Sequence, residues 1–204
     1  MCRSSLAKRL VDLLGSIVGI ALFSLVFALV AIAIVIESRG GVFFRQKRVG
    51  LHGRAFRMVK FRSMVANAEA QGPSVTARGD IRITRVGAFI RRTKLDELPQ
   101  FFNVLAGSMS LVGPRPEVPA YFELYAPEQQ AIIVSVKPGM TDFAAIELKD
   151  EEVILAAHTD RRKAYVDILM PRKFALYKKY IDEQSFLLDL KIIWRTIVAM
   201  AKRR

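Results

Sequence analysis

Cysteine is almost missing from this chain: Cys2 is the only one. An internal disulfide is therefore excluded, and a reducing compartment is compatible. Histidine is nearly as scarce. His52 and His158 lie far apart, so no Cys/His zinc pattern exists, and both read as solvated loop residues. There is no GxGxxG, no P-loop, no Ser/His/Asp set and no internal repeat. Acid is in deficit, with 19 Asp and Glu against 32 Lys and Arg, for a net charge of +13. That excess calls for an anionic partner: nucleic acid, acidic lipid or phosphorylated substrates. A single aromatic, Phe89, falls among the basic residues of 81–92, which does not make the interleaved base-stacking surface that nucleic acid requires, so no nucleic acid is expected.

Charge of either sign is absent from Leu13 to Ile36. A helix over that run crosses a hydrocarbon core of about 30 Å. A cleaved signal peptide has a shorter apolar core and a small-residue site in a polar setting, whereas Ala31-Ile32-Ala33 lies inside the run. An uncleaved anchor is expected. Both flanks are basic, with Arg3, Lys8 and Arg9 before the run and Arg39, Arg45, Lys47 and Arg48 after it. Positive charge marks the cytoplasmic side, and a helix that dips in and returns keeps both flanks there. Ser24, near the middle, is the candidate to satisfy backbone at such a bend. Gly15 and Gly19 share a face and admit close approach of another helix. An ordinary spanning helix stays open, because bends are rare in lipid.

After Ile36 the composition changes to that of a soluble domain, which divides the chain into a membrane-embedded unit, 1–40, and a second domain, 41–204. Val42-Phe43-Phe44 and Ala55 to Phe61 read as strands joined by a turn at Gly50 to Gly53. Lys60, Arg62 and Ser63, at the end of the second strand, are candidate phosphate contacts; a solvated strand end is the alternative. Residues 66–79 form a polar loop. Residues 81–92 alternate basic and apolar side chains, as for a surface facing headgroups or phosphates.

The central stretch is Arg91 to Gln100. Asp96 and Glu97 follow a dense run of cations, and Leu98, Phe101, Phe102 and Leu105 then fall at helical spacing, with Gly107 as the stop. Pro99 is acceptable in a first turn. The acids are thus expected at a helix start, where the dipole keeps a carboxylate ionised and attracts phosphate. An aspartate so placed is a possible nucleophile. Thr93 and Asp96 as an ordinary capping pair is the competing reading. Neighbouring helical residues point about 100° apart, so the two acids need separate roles.

Arg115 sits between Pro114 and Pro116 in a stiff segment, which suits bidentate phosphate binding. Lys137 to Asp142 reads as a turn after a helix over Pro127–Val134, Glu147 to Glu152 as a solvated acidic stretch, and Arg161 to Tyr180 as a helix interrupted by Pro171. In a last helix from Ser185, Phe186, Leu190, Ile193, Trp194 and Ile197 share a face. Trp194 beside basic residues suits a membrane interface; packing on the core is the alternative.

Four motifs together resemble the bacterial sugar transferases of the monotopic phosphoglycosyl transferase superfamily: Lys60 to Met64, Arg91 to Gln100 with Phe102 to Leu105, Ser110 to Pro116, and Lys137 to Thr141. The resemblance covers nearly the whole chain. It implies an α/β (α+β, helix-rich) cytosolic domain with an N-terminal re-entrant membrane helix and interfacial amphipathic helices, on the inner bacterial membrane and facing the cytoplasm. The implied reaction passes a sugar-1-phosphate from a nucleotide-diphosphate sugar, usually UDP-linked, to polyprenyl phosphate and releases UMP. The implied roles are Asp96 as nucleophile, Glu97 at the metal or in proton handling, and Arg91, Arg115 and Lys60 around the phosphates, with Mg2+ as cofactor held by Asp96 and Glu97. Nucleotide-sugar, polyprenyl phosphate and anionic membrane lipids are the expected partners, and a homodimer stays open. Two departures stand out: members often have Ser-Pro where this chain has Ser24-Leu25, and Thr-Gly where it has Thr141-Asp142. A membrane-anchored phosphohydrolase and a non-catalytic lipid-binding scaffold are the alternative functions.

Overall fold

Two helices, not one, occupy the apolar N-terminal run. In the computed structural model, which describes residues 6–68, 80–148 and 151–201, α1 (Leu6–Leu22) and α2 (Ser24–Glu37) meet at Phe23 with a bend of 60°. Among the described residues no single helix is long and apolar enough to cross a membrane. Ser24 is not the device expected at the bend: it is exposed, and its hydroxyl makes no hydrogen bond. The ladder continues through Phe23, which donates to the Gly19 carbonyl at 3.0 Å and accepts from the Phe27 N–H at 2.8 Å. The bend follows from packing, because each arm lies on a different part of the domain. Gly15 and Gly19 let α1 down onto Leu111 and Phe101; a Cβ at Gly19 would sit 2.7 Å from the Phe101 ring. On α2, Val30 and Ile34 pack with Phe61, Ile90 and Leu98. Ile34, Phe61 and Ile90 are fully buried, each contributing roughly 1.5–3 kcal/mol.

α1 is amphipathic in the reverse sense of a helix on a water-soluble protein. Its buried stripe is Lys8, Asp12, Ser16 and Gly19, while Leu6, Leu10, Leu14, Ile17, Val18 and Leu22 are exposed. The inward polar groups are satisfied. Lys8 Nζ reaches Asp189 at 2.7 Å, the Val112 carbonyl at 3.0 Å and the Tyr180 hydroxyl at 3.2 Å. Asp12 Oδ1 accepts from the Ser110 hydroxyl and the Leu111 N–H.

An antiparallel hairpin follows, β1 (Phe43–Val49) and β2 (Ala55–Phe61), in register from Phe43↔Phe61 to Val49↔Ala55. Then come α3 (Arg85–Arg92), a 3-10 turn (Leu95–Glu97), α4 (Gln100–Leu105), β3 (Ser110–Val112), α5 (Pro119–Phe122), α6 (Pro127–Ile133) and β4 (Gly139–Thr141). The Lys137–Asp142 turn thus contains a strand, parallel to β3. The two segments approach so closely that a Cβ on Gly139 would lie 2.1 Å from the Gly113 nitrogen, so glycine is required. The chain ends with α7 (Phe143–Glu147), α8 (Glu151–Ala156), α9 (Arg161–Ala164), a π turn (Tyr165–Leu169), α10 (Met170–Glu183) and α11 (Phe186–Ala201). Pro171 sits in the first turn of α10, where its missing N–H costs least.

The architecture is helix-rich α+β, with two small two-stranded sheets among the described residues. One core lies under α6, α7 and α10, another under α2, β2 and α3. The acidic stretch 147–152 is not wholly solvated, since Glu151 pairs with buried Lys173 at 2.8 Å. On α11 Phe186, Leu190, Trp194 and Ile197 are exposed, while Ile193 of the same face is half-buried and packs with Ile192 on the core. Most of the polar loop, residues 69–79, lies outside the described residues.

Candidate active site

The acids lie one turn ahead of α4, not in it. Lys94 takes a left-handed conformation at φ 60°, Leu95–Glu97 form the 3-10 turn, and α4 starts at Gln100 after Pro99. Thr93 does not cap this segment; its hydroxyl donates back to the Phe89 carbonyl at 2.9 Å and closes α3. Three residues per turn send adjacent side chains well apart, and the two acids have different surroundings.

Glu97 is locked between cations. Its Oε1 accepts from Lys60 Nζ at 3.0 Å and from Arg115 Nη2, and its Oε2 from Arg115 Nη1 at 3.2 Å. Burial works to raise its pKa, but Arg115 and Lys60 outweigh burial and hold the carboxyl well below the usual range. Asp96 is only 8% exposed, and its Oδ1 is fully buried without a hydrogen-bond partner. Burial, then the Glu97 charge, pushes its pKa up, against the pull of Lys60, Lys94 and Arg91. For Asp96, the expected effect of a helix start, a carboxylate kept easily ionised, is therefore not what the local geometry produces.

Arg115 is held residue by residue. The Pro114 carbonyl accepts from the Gly139 N–H at 2.9 Å, the Arg115 N–H donates to Asp142 Oδ2 at 3.2 Å, and the Pro116 carbonyl accepts from Arg48 Nη1 at 2.7 Å. The Val49 N–H donates to the Glu117 carbonyl at 3.0 Å. The Arg115 side chain remains 31% exposed, which leaves part of its fork open to an anion.

Of the candidate site residues, the structure brings Lys60, Glu97 and Arg115 into contact, with Asp96 next to Glu97 in the same turn. Arg91, in the last turn of α3, acts on Asp96 through its charge. Arg62 and Ser63 serve elsewhere. The Arg62 guanidinium donates to the Ser38 and Arg39 carbonyls at 2.7 and 2.9 Å, tying down the chain after α2. Ser63 packs its carbonyl under the first turn of α3, donated to by the Thr84 N–H at 3.2 Å. Trp194 stands on the exposed face of α11.

Three supporting residues went unread. Asn103 accepts from the Val59 N–H at 2.8 Å and donates to the Arg57 carbonyl at 2.9 Å, fixing α4 to β2. Asp142 caps α7 through Ala145 and holds Arg115. Arg48 had counted only as a basic flank.

Among the described residues no three His, Cys, Asp or Glu side chains gather as a metal cluster. Mg2+ commonly takes one or two carboxylates and completes its shell with water and substrate phosphates. The orphaned Asp96 Oδ1 offers such a ligand position. Glu97 Oε2, with a single cationic donor, keeps a second lone pair. The donor set fits Mg2+ held jointly with a diphosphate.

The family model for bacterial sugar transferases matches residues 3–203. Over 192 residues the chain is 39% identical to a UDP-N-acetylgalactosamine-undecaprenyl-phosphate N-acetylgalactosaminephosphotransferase of Aeromonas hydrophila, covering 93% of this chain and 42% of that protein. It is 40% identical to a UDP-glucose:undecaprenyl-phosphate glucose-1-phosphate transferase of Klebsiella pneumoniae, covering 93% of this chain and 39% of that protein. A transferase of the same name from Caulobacter vibrioides is 36% identical over 96% of this chain and 70% of its own. The chain thus spans about two-fifths of the first two relatives, and the region they share contains Lys60, Asp96, Glu97 and Arg115. With a match running over nearly its whole length, the chain belongs to the bacterial sugar transferase family.

Proposed function

We propose that this protein transfers a sugar-1-phosphate from a UDP-sugar to polyprenyl phosphate, of the undecaprenyl type, at the cytoplasmic leaflet of the inner membrane. This is the first membrane step in assembling a glycan. The observation that carries the reading is the pair of acids: Asp96 has an unpartnered buried oxygen, while Glu97 is neutralised by Lys60 and Arg115. Phosphoryl transfer depends mainly on positioning and on offsetting charge, and such a pair separates nucleophile from scaffold.

In the first step an Asp96 oxygen attacks the phosphorus that bears the sugar. An Asp96 O–P bond forms, the P–O bond to the α-phosphate breaks, and UMP leaves with that oxygen. In the second step a phosphate oxygen of the polyprenyl phosphate attacks the same phosphorus. The Asp96 O–P bond breaks, and polyprenyl-diphosphate-sugar is released with Asp96 restored. Arg115 orients the diphosphate, and Lys60 and Arg91 offset charge developing on it. Asp96 with Glu97 would hold Mg2+, which as a Lewis acid neutralises phosphate oxygens and favours the ionised carboxylate.

The reversed polarity of α1 supports lipid around the bent pair, and two basic flanks on one side agree with a re-entrant hairpin. The exposed apolar face of α11, with Trp194, lies at the headgroups in this reading.

A panel of UDP-sugars incubated with undecaprenyl phosphate and Mg2+, with UMP measured, tests the proposal. Sustained UMP release that requires the lipid phosphate is expected, together with at most one equivalent of UMP and a phosphosugar adduct on Asp96 by mass spectrometry when the lipid is withheld. Release to water without lipid would indicate a phosphohydrolase. Normal turnover by Asp96→Asn would refute the nucleophile.

A further inference from the structure

The segment that carries Asp96 is gripped at both ends by the bent helix pair. At its start, Glu37, the last residue of α2, accepts the Arg85 N–H at 2.7 Å through Oε1 and the Val86 N–H at 2.9 Å through Oε2. The Thr84 hydroxyl takes the Gly87 N–H at 2.9 Å, so the first three donors of α3 have partners. At the other end, Arg9 of α1 donates through Nη1 to the Val104 carbonyl at 2.8 Å and through Nη2 to the Leu105 carbonyl at 3.0 Å. Those are the last two carbonyls of α4. A carboxylate on helix N–H groups and a guanidinium on helix carbonyls are the charge-assisted choices for the two ends.

Between the grips lies the 3-10 turn with Asp96 and Glu97, entered through Lys94 at positive φ. Each grip also has apolar backing, Ile34 with Ile90 and Gly19 with Phe101. The two grips sit on different arms of one bent pair. Their separation is therefore set by the 60° bend, and a change in the bend reaches the catalytic turn as a pull on its two ends.

We propose that Glu37 and Arg9 are positioning residues that fix the Asp96 turn to the geometry of the bent pair. This rests on the reading of Asp96 as the nucleophile, and neither residue touches substrate.

The test uses the full chain in lipid nanodiscs, as wild type, Glu37→Gln, Arg9→Lys and the double variant. Gln keeps one good acceptor where two N–H groups need one each. Lys keeps the charge but loses the two-pronged grip. Amide hydrogen exchange is followed at residues 93–99, with β1 and β2 as the internal control. UMP release from UDP-glucose and UDP-N-acetylgalactosamine with undecaprenyl phosphate is measured alongside. Expected are exchange at 93–99 faster by about 10-fold in each single variant with the hairpin unchanged, and kcat lower by a similar factor with the donor KM unchanged. The double variant should be no worse than the poorer single one, because releasing either end frees the turn. Unchanged exchange at 93–99 in both single variants overturns the proposal whether or not either sugar is turned over. So does a double variant whose losses multiply, which would make the contacts two independent caps. Asp96→Asn separates the readings: if it is inactive while both single variants keep wild-type exchange and kcat, only the clamp is wrong; if it is active, the nucleophile is wrong.

Discussion

Asp142 supplies a sharp test of how the Arg115 loop is held. Its side chain is 1% exposed. Oδ1 accepts the Ala145 N–H at 2.6 Å and Oδ2 the Arg115 N–H at 3.2 Å. Burial raises its pKa from 3.8 to about 6; the two N–H donors and the charges of Arg115 and Lys173 oppose that rise without cancelling it. Tyr177 is a further titratable neighbour, itself kept protonated by burial. The sign follows directly. The folded state binds the Asp142 proton more tightly than the unfolded chain does, so this contribution to stability is fully present below pH 3.8 and is lost as pH rises through about 6. Between pH 4.5 and 7.5 the loss amounts to about 2 kcal/mol by linkage.

Asp142→Asn removes that dependence, since an amide does not ionise. It also gives up one acceptor, leaving one N–H facing an NH2 group at a cost of about 1–3 kcal/mol. At pH 4.5 the lost hydrogen bond dominates and the variant is the less stable protein. At pH 7.5 relief of the buried charge offsets most of the loss. The gap in melting temperature between variant and wild type should therefore close by roughly 4–8 °C between the two pH values. Thermal unfolding in nanodiscs at pH 4.5 and 7.5 measures it. A gap that is the same at both values would show that Asp142 is ionised throughout, and would refute the account of its burial.

Three further outcomes are expected. Glu97→Gln leaves Lys60 and Arg115 without their anion; because Arg115 is partly exposed, the loss should fall at the lower end for a broken buried pair, about 3 kcal/mol, and an unchanged unfolding free energy would contradict the cluster. Gly19→Ala gains about 1 kcal/mol of helix propensity but puts a methyl against the Phe101 ring, at a cost of about 1–3 kcal/mol; a lower melting temperature is expected, and a higher one would mean the ring moves aside freely. EDTA should stop UMP release and added Mg2+ restore it, with activity surviving exhaustive chelation as the contrary result.

Legibility in the sequence followed the range of the interactions. The acids, the Pro-Arg-Pro segment and the strand ending in Lys60 are local patterns, and the structure puts Lys60, Glu97 and Arg115 in contact. Helices with clean periodicity, such as 127–133, fell where expected. What was missed depends on partners far along the chain. Asp142 meets Arg115 across 27 residues and Asn103 meets Val59 across 44. Each lies in or beside a motif that the sequence analysis quotes, but nothing local gives its partner, because an aspartate after a turn and an asparagine in a short helix are ordinary. The short pairing of β3 with β4 is invisible for the same reason. Arg62 reads locally as a strand-end phosphate contact beside a lysine, and its reach to two carbonyls after α2 cannot be seen in the sequence.

The bend between α1 and α2 shows a different limit. No proline marks it, and the apolar run reads as continuous. The signal sits further upstream, in Lys8, Asp12, Ser16 and Gly19, spaced at three and four residues and all facing inward. Counted as a basic flank, Lys8 says only which side of the membrane it prefers. Taken with Asp12 and Ser16, it marks the face along which α1 joins β3 and α11. Periodicity assigns residues to faces but does not say which face is inside; the solvent decides that. With water outside, this stripe would point out and the leucines in. The satisfied partners of Lys8 and Asp12 fix the opposite choice, and with α1 so committed, α2 reaches Phe61 and Ile90 only by turning at Phe23.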